Sequence, residues 1–168
     1  APEEPSHFTG LILHVDVNNY YPSMLIAWGL VTRAAGNNNY QKVYKTRKAL
    51  KYKQKHSDTK EEAKKYKKQQ LPYKKMLNAL SGAMKDATNP AYDPRNNNIM
   101  CINGQLMLLD LIEHLEVVPG FELIQSNTDG LIIRIPDTDE AFDMVDDICY
   151  EWEQRCSTSS CEILLELD

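Results

Sequence analysis

The stretch that most constrains the fold is residues 121–135, FELIQSNTDGLIIRI. Apolar residues alternate on both sides of the tight polar turn Ser126-Asn127-Thr128-Asp129-Gly130, which predicts two antiparallel strands, 121–126 and 130–135. Phe121, Leu123, Leu131, Ile133 and Ile135 are expected on a buried face, with Asp129 held out at the tip. Taken alone, Asn127, Asp129 and Gly130 read as turn formers. A second acid comes from residues 11–29, LILHVDVNNYYPSMLIAWG, where a short apolar strand ends at Asp16 and a helix is expected to open at Pro22 and close at Gly29. If the two strands are neighbours, Asp16 and Asp129 converge at one edge and can hold divalent cations between them. Acids paired in this way suit phosphoryl transfer, in which two metal ions about 3.5–4 Å apart stabilise the attacking and leaving oxygens.

The chain of 168 residues suits one domain, or one domain with an insertion. Its apolar runs are far shorter than the roughly 20 residues of a membrane helix, and the polar start APEEPSHFTG reads as a linker, so a soluble cytoplasmic protein is expected. Cys101, Cys149, Cys156 and Cys161 form no CxxC pair and no zinc spacing with the four histidines, and read as reduced structural thiols. His7, His14, His56 and His114 suggest no site, and Trp28 and Trp152 read as packing residues.

The net charge of −5 hides a segregation. Residues 42–75 hold fourteen of the nineteen basic residues against three acids, Asp58, Glu61 and Glu62, so a basic arm sits on an acidic body. Such a block is commonly a solvated helix surface. Here it runs directly into Lys74 and the helix beyond, which favours phosphate as its partner. The arm reads as two helices, 41–56 and 60–84, split at Ser57-Asp58-Thr59. Tyr66, Tyr73, Leu77, Leu80 and Met84 form its packing stripe, while Lys74, Asn78 and Ser81 share another face. Gly82 costs a helix interior about 1 kcal/mol relative to Ala, which close approach of another group would explain. Pro72 implies a new helix or a kink. Residues 85–98 read as an irregular connection, 99–118 as an amphipathic helix facing inward through Leu106, Leu109, Ile112 and Leu115, 139–155 as a further helix, and 162–167 as a closing strand. The sum is an α+β sandwich with no internal repeat.

Three motifs in order then carry a resemblance that covers the chain from about Thr9 to its end. Asp16-Val17-Asn18-Asn19-Tyr20-Tyr21-Pro22-Ser23 resembles DxxSLYPS; residues 74–82, KKMLNALSG, resemble KxxxNSxYG; Asn127-Thr128-Asp129-Gly130 resembles DTDS. Together they resemble the polymerase module of a family B (alpha-like) DNA polymerase of the bacteriophage or viral kind. The resemblance implies an antiparallel ferredoxin-like palm sheet backed by helices at 1–39 and 86–168, an inserted two-helix fingers hairpin at 40–85, and exonuclease and thumb domains outside the chain. It implies template-directed DNA synthesis on primer–template DNA from deoxynucleoside triphosphates, in the cytoplasm of a host cell if viral.

By the same resemblance, Asp16 and Asp129, with the Val17 carbonyl, would hold two Mg²⁺ ions, for which Mn²⁺ can substitute. Tyr21 would lie under the incoming sugar and exclude a 2′-hydroxyl. Lys74 would bind the triphosphate and Asn78 would stand beside it, with Arg47, Lys48 and Lys51 as further candidates. Ser81 and Gly82 would meet the nascent base pair. The departures are Asn127 for the first acid of DTDS, Gly130 for its Ser, Ser81 for a Tyr, and Asn19 and Tyr20 for Ser and Leu. Tyr20 reads as a core aromatic. Thr128 keeps its place in the motif. With exonuclease and thumb elsewhere, these residues alone are expected to extend primers feebly. Two other classes stay open: a non-catalytic nucleic-acid-binding module, and another palm enzyme such as a reverse transcriptase or a nucleotide cyclase.

Overall fold

The computed structural model describes residues 10–34 and 37–168. The N-terminal stretch read as a linker, with His7 and Thr9, lies outside the described residues apart from Gly10. Among the described residues there are four strands and five helices, in an α+β fold. The chain gathers into two compact units, Ala1–Tyr20 with Asn103–Asp168, and Tyr21–Ile102.

In the first unit, β1 (Leu11–Val17), β2 (Glu122–Ser126), β3 (Gly130–Ile135) and β4 (Leu165–Leu167) form one antiparallel sheet in the order β2-β3-β1-β4. Helix α4 (Pro94–Leu115) precedes β2, and α5 (Asp139–Cys156) joins β3 to β4, which is the ferredoxin-like arrangement expected. Alternation decides the two faces. Leu13, Val15 and Val17 of β1 and Leu131, Ile133 and Ile135 of β3 are buried, as are Leu108, Leu111 and Leu115 of α4 and Val145, Cys149 and Trp152 of α5. Each such side chain removed from water contributes about 1.5–3 kcal/mol. Tyr20, a core aromatic as expected, donates from its hydroxyl to the Gly104 carbonyl at 2.6 Å, and its ring lies 6.3 Å from that of Trp152. The Trp152 indole in turn donates to the Met107 carbonyl at 2.7 Å. All four cysteines are free thiols, and burial pushes Cys149 and Cys156 up to about 12.

Three expectations are corrected here. Leu106 and Leu109 do not face inward but are 53% and 54% exposed, because α4 buries Met100, Leu108, Leu111 and Leu115 instead. Strand β2 is exposed along its whole length as the edge strand, with a register shift between Leu123 and Gln125, so Leu123 does not anchor it. Its cross-strand pair, Glu122 with Arg134, is an ion pair. Strand β4 holds three residues rather than six.

The second unit contains α1 (Tyr20–Ala27) from Tyr21 onward, α2 (Asn37–Lys55), α3 (Lys60–Lys85) and the start of α4. Helix α1 starts two residues before Pro22, which sits in the first turn where a missing N–H costs nothing. Helices α2 and α3 form the expected hairpin. Thr59 caps α3 by accepting from the Glu62 N–H at 3.1 Å, and α3 runs unbroken through Pro72, so no new helix starts there. Leu77 and Met84 are buried, and Tyr66, Tyr73 and Leu80 half-buried, as the stripe requires.

The irregular connection ends earlier than expected, because α4 begins at Pro94 rather than Ile99. Asp93 is its cap, accepting from the Asn96 N–H, and Pro94 takes the first helical position. The buried Asp93 carboxylate also accepts from Arg33 at 2.8 Å, 2.9 Å and, from its backbone N–H, 3.0 Å. Hydrogen bonding from the Arg33 side chain is the main reason its carboxyl stands well below the usual carboxylate range.

A depressed value stabilises the fold fully above the unfolded carboxylate's ordinary value of about 3.9, and that stabilisation is lost as pH falls towards the folded value. Asp93→Asn keeps a good capping residue but removes the charge. With Arg33 largely in solvent, urea unfolding is expected to show a cost of about 1–2 kcal/mol at pH 7, shrinking as the pH is lowered towards 2.

Candidate active site

The acid edge is built by the β1–β3 pairing. Six consecutive partners run from Leu11↔Ile135 to Asp16↔Gly130, and beyond them the Val17 N–H donates to the Asp129 carbonyl at 2.8 Å. Asp16 points to the face opposite Val15 and Val17, away from the core. The turn closes through the Asn127 N–H, which donates to the Gly130 carbonyl at 2.8 Å. The sequence-expected neighbours, Asp16 and Asp129, are thus brought to adjacent strand ends.

Gly130 is required by how closely the strands approach. A Cβ there would stand 2.7 Å from the Val15 carbonyl oxygen and 3.1 Å from the Asp16 Cα, and would foul the Asp16 carboxylate. Glycine at this position lets the strands approach without displacing the Asp16 carboxylate.

The carboxyl of Asp16 is raised above the ordinary aspartate value, first by burial and then by the charge of Asp129, with Asp168 and Glu166 adding to the effect and His14 opposing it. Glu166 lies opposite Asp16 in the β1–β4 register, and Asp168 exchanges two backbone hydrogen bonds with His14, at 2.8 and 3.0 Å. Sequence reasoning missed both of these acids. The strand signal at residues 162–167 was present, but nothing in it names β1 as the partner.

Among the described residues, no group of three or more His, Cys, Asp and Glu side chains is set to hold a metal ion. The donor set at this edge nevertheless fits a cation such as Mg²⁺, which takes one or two carboxylates and fills its shell with waters and substrate phosphates. The charge of Asp129 raises the cost of ionising Asp16, and a positive charge beside them would relieve it. Asn127 and Thr128 stand at the turn, where the Asn127 amide oxygen accepts from Gln125 at 2.8 Å. They help line a recess of about 620 Å³ with Gln105, Leu108, Leu109 and Ile112.

The second unit carries the other candidate residues. Asn19, still in the first unit, makes at φ 48° the left-handed turn into α1, a conformation Asn tolerates better than Ser or Leu; Tyr21, the first residue of the second unit, is half-buried on the helix. Lys74, Asn78 and Gly82 recur every fourth residue on α3 and are all exposed. A Cβ on Gly82 would meet nothing within 4 Å, so no internal packing requires glycine there. Ser81 is instead buried, its hydroxyl donating to Asn97 Oδ1 at 2.8 Å. Arg47 is buried within the hairpin, its Nε donating to Gln70 at 3.0 Å, whereas Lys48 is exposed and Lys51 half-buried. Desolvation lowers the Arg47 value.

A ferredoxin-like antiparallel sheet with an acid-bearing β1–β3 edge and a helical hairpin inserted after its first strand is a fold of the polymerase palm type. Among solved structures, the chain is similar to the family B DNA polymerase from the hyperthermophilic archaeon Pyrobaculum calidifontis, with 18% sequence identity and a TM-score of 0.65 over 96% of this chain. The chain spans 23% of the length of that polymerase, and at this identity the likeness is one of fold. No protein-family model and no curated protein matches the chain.

The two glycines are expected to respond with opposite signs in denaturant unfolding. Gly130→Ala should destabilise by about 1–3 kcal/mol through overpacking against β1, and Gly82→Ala should stabilise by up to about 1 kcal/mol, its Cβ entering open space in a helix.

Proposed function

We propose that the chain is the palm and fingers part of a template-directed DNA polymerase of the family B kind, from a bacteriophage or virus. The observation that carries this reading is the β1–β3 register, which sets Asp16 and Asp129 at adjacent strand ends, where the like charge of Asp129 raises the carboxyl of Asp16. In the proposed reaction the primer 3′-hydroxyl attacks the α-phosphate of a deoxynucleoside triphosphate, the new phosphodiester bond forms in line, and pyrophosphate leaves.

Asp16 and Asp129, with the Val17 carbonyl, are the proposed ligands of two Mg²⁺ ions. Those ions, when bound, supply positive charge to the attacking and leaving oxygens. Asp129 sits at a turn whose backbone is tied to β1 by the hydrogen bond from the Val17 N–H to its carbonyl. Asn127 is neutral, which leaves one negative charge fewer for the metals than a DTDS turn carries.

Lys74 and Asn78, exposed on one face of α3, are assigned to the triphosphate, and the bare Gly82 one turn further on to close approach of the nascent pair. Lys48 and Lys51 remain triphosphate candidates. Arg47, desolvated and bonded to Gln70, would have to exchange that partner for a phosphate. Tyr21 is assigned to the sugar. Ser81, whose hydroxyl is given to Asn97, would act by holding α3.

Manganese binding by the purified chain, followed by calorimetry, tests the metal assignment without relying on activity. Asp16→Asn and Asp129→Asn should each abolish the binding seen for the native chain. In a polymerase carrying this segment, each substitution should lower nucleotidyl transfer by about 10²–10³-fold. The 168 residues alone should extend primers feebly, and robust processive extension would overturn that expectation. Metal-independent DNA binding without any manganese affinity would support the binding-module reading, and preference for an RNA template the reverse-transcriptase reading.

A further inference from the structure

On the basic hairpin, the polymerase reading uses Lys74 and Asn78 of α3 and the candidates Arg47, Lys48 and Lys51 of α2, and leaves Tyr52 without a role. The hairpin's own cross-contacts fix its register. Arg47 bonds Gln70, and the Lys53 ammonium lies 5.9 Å above the Tyr66 ring. Tyr52, next to Lys53, therefore stands level with residues 66–67 of α3, about eight helical residues or roughly 12 Å along the axis from Lys74. Lys55, Lys60 and Lys64 lie farther along the hairpin from Lys74 than Tyr52 does.

The aromatic residues there are distributed unevenly. Tyr40, Tyr44, Tyr66 and Tyr73 of the hairpin are half-buried, whereas Tyr52 is 64% exposed. Its ring is stacked on His56, with centroids 4.0 Å apart and planes 27° from parallel, and the His56 ring is steadied by the Tyr52 carbonyl at 2.9 Å. One side of the tyrosine is thus braced and the other left to solvent. Helical spacing puts Lys45, seven residues before, and Lys55, three residues after, on the same face, and both are exposed. An exposed, braced aromatic ring between cations is what a single-stranded nucleic acid recognises: bases stack on the ring and phosphates meet the lysines. Duplex, whose bases are already stacked, gains nothing from the ring.

We propose that the outer face of α2, from Lys45 to Lys55, binds single-stranded nucleic acid, with Tyr52 as the stacking platform and Lys45 and Lys55 as phosphate contacts. The site goes beyond the polymerase reading and needs neither metal nor triphosphate.

Fluorescence anisotropy of the purified chain with labelled oligo-dT in EDTA, over a salt series, tests the proposal. Tyr52→Ala is expected to weaken binding about tenfold, the loss of one stacked base, and Tyr52→Phe to leave it unchanged. Lys45→Gln with Lys55→Gln should flatten the log–log salt slope by about 0.7 for each lysine. Tyr52 is largely in solvent, so circular dichroism should find the variants folded. Binding by Tyr52→Ala equal to that of the native chain would overturn the proposal, as would a duplex that binds as tightly as the single strand. Asp16→Asn and Asp129→Asn should bind oligo-dT normally in EDTA. Absence of manganese binding, with oligo-dT binding intact, would sink the polymerase reading alone.

Discussion

The antiparallel pairing of β1 with β3 is the interaction on which the first unit depends. Its register does two jobs through one set of hydrogen bonds. On one face it stacks Leu13, Val15 and Val17 beside Leu131, Ile133 and Ile135 into the core, and on the other it carries Asp16 to the turn that presents Asp129. A slip of one residue would exchange the faces, exposing the core residues and burying an acid. Gly130 fixes how closely the strands meet at that end, since any side chain there would collide with the β1 backbone beside Asp16.

The two units contain carboxylates in opposite situations. Asp93 is buried and satisfied by the Arg33 side chain, two backbone N–H groups and a helix start, so its value falls and it stabilises the fold. Asp16 is partly desolvated and surrounded by other acids, so its value rises and its charge works against folding. An acid kept where it costs stability, on a rigid strand and beside a second acid, is the pattern expected where chemistry rather than architecture sets the residue. The exposed face of α3 has the same character: Gly82 weakens a helix and leaves open space that none of the described residues fills. Together they favour the polymerase reading over one in which these residues are turn formers.

Much of the fold was legible because it rests on local chemistry. An apolar run marked β1 and alternation marked β3; Thr59 and Thr138 capped α3 and α5 where the sequence placed their starts; and Tyr20 took its place in the core. The start of α4 was missed: residues 85–98 read as a turn-rich connection, whereas Asp93 caps the helix and Pro94 takes its first position. The buried face of α4 was missed too. Leucines and isoleucine at 106, 108, 109, 111, 112 and 115 supply two overlapping stripes at helical spacing, and only the position of the sheet selects 108, 111 and 115. Strand β2 failed for a related reason, since alternation marks a strand but does not distinguish a central one from an exposed edge.

By itself, then, the sequence determined which segments are helix and strand, where the basic arm lies, and that acids fall at the ends of Asp16's strand and the NTDG turn, because propensity, capping and charge act over a few residues. Tertiary structure alone decided that β1 pairs with β3 so that the two acids meet, that β4 adds Glu166 and Asp168 to that edge, that Arg47 turns inward while Tyr52 faces solvent, and that Gly130 must be bare. Those are outcomes of which surfaces exclude water together, and residues far apart in the chain settle them only once they are packed.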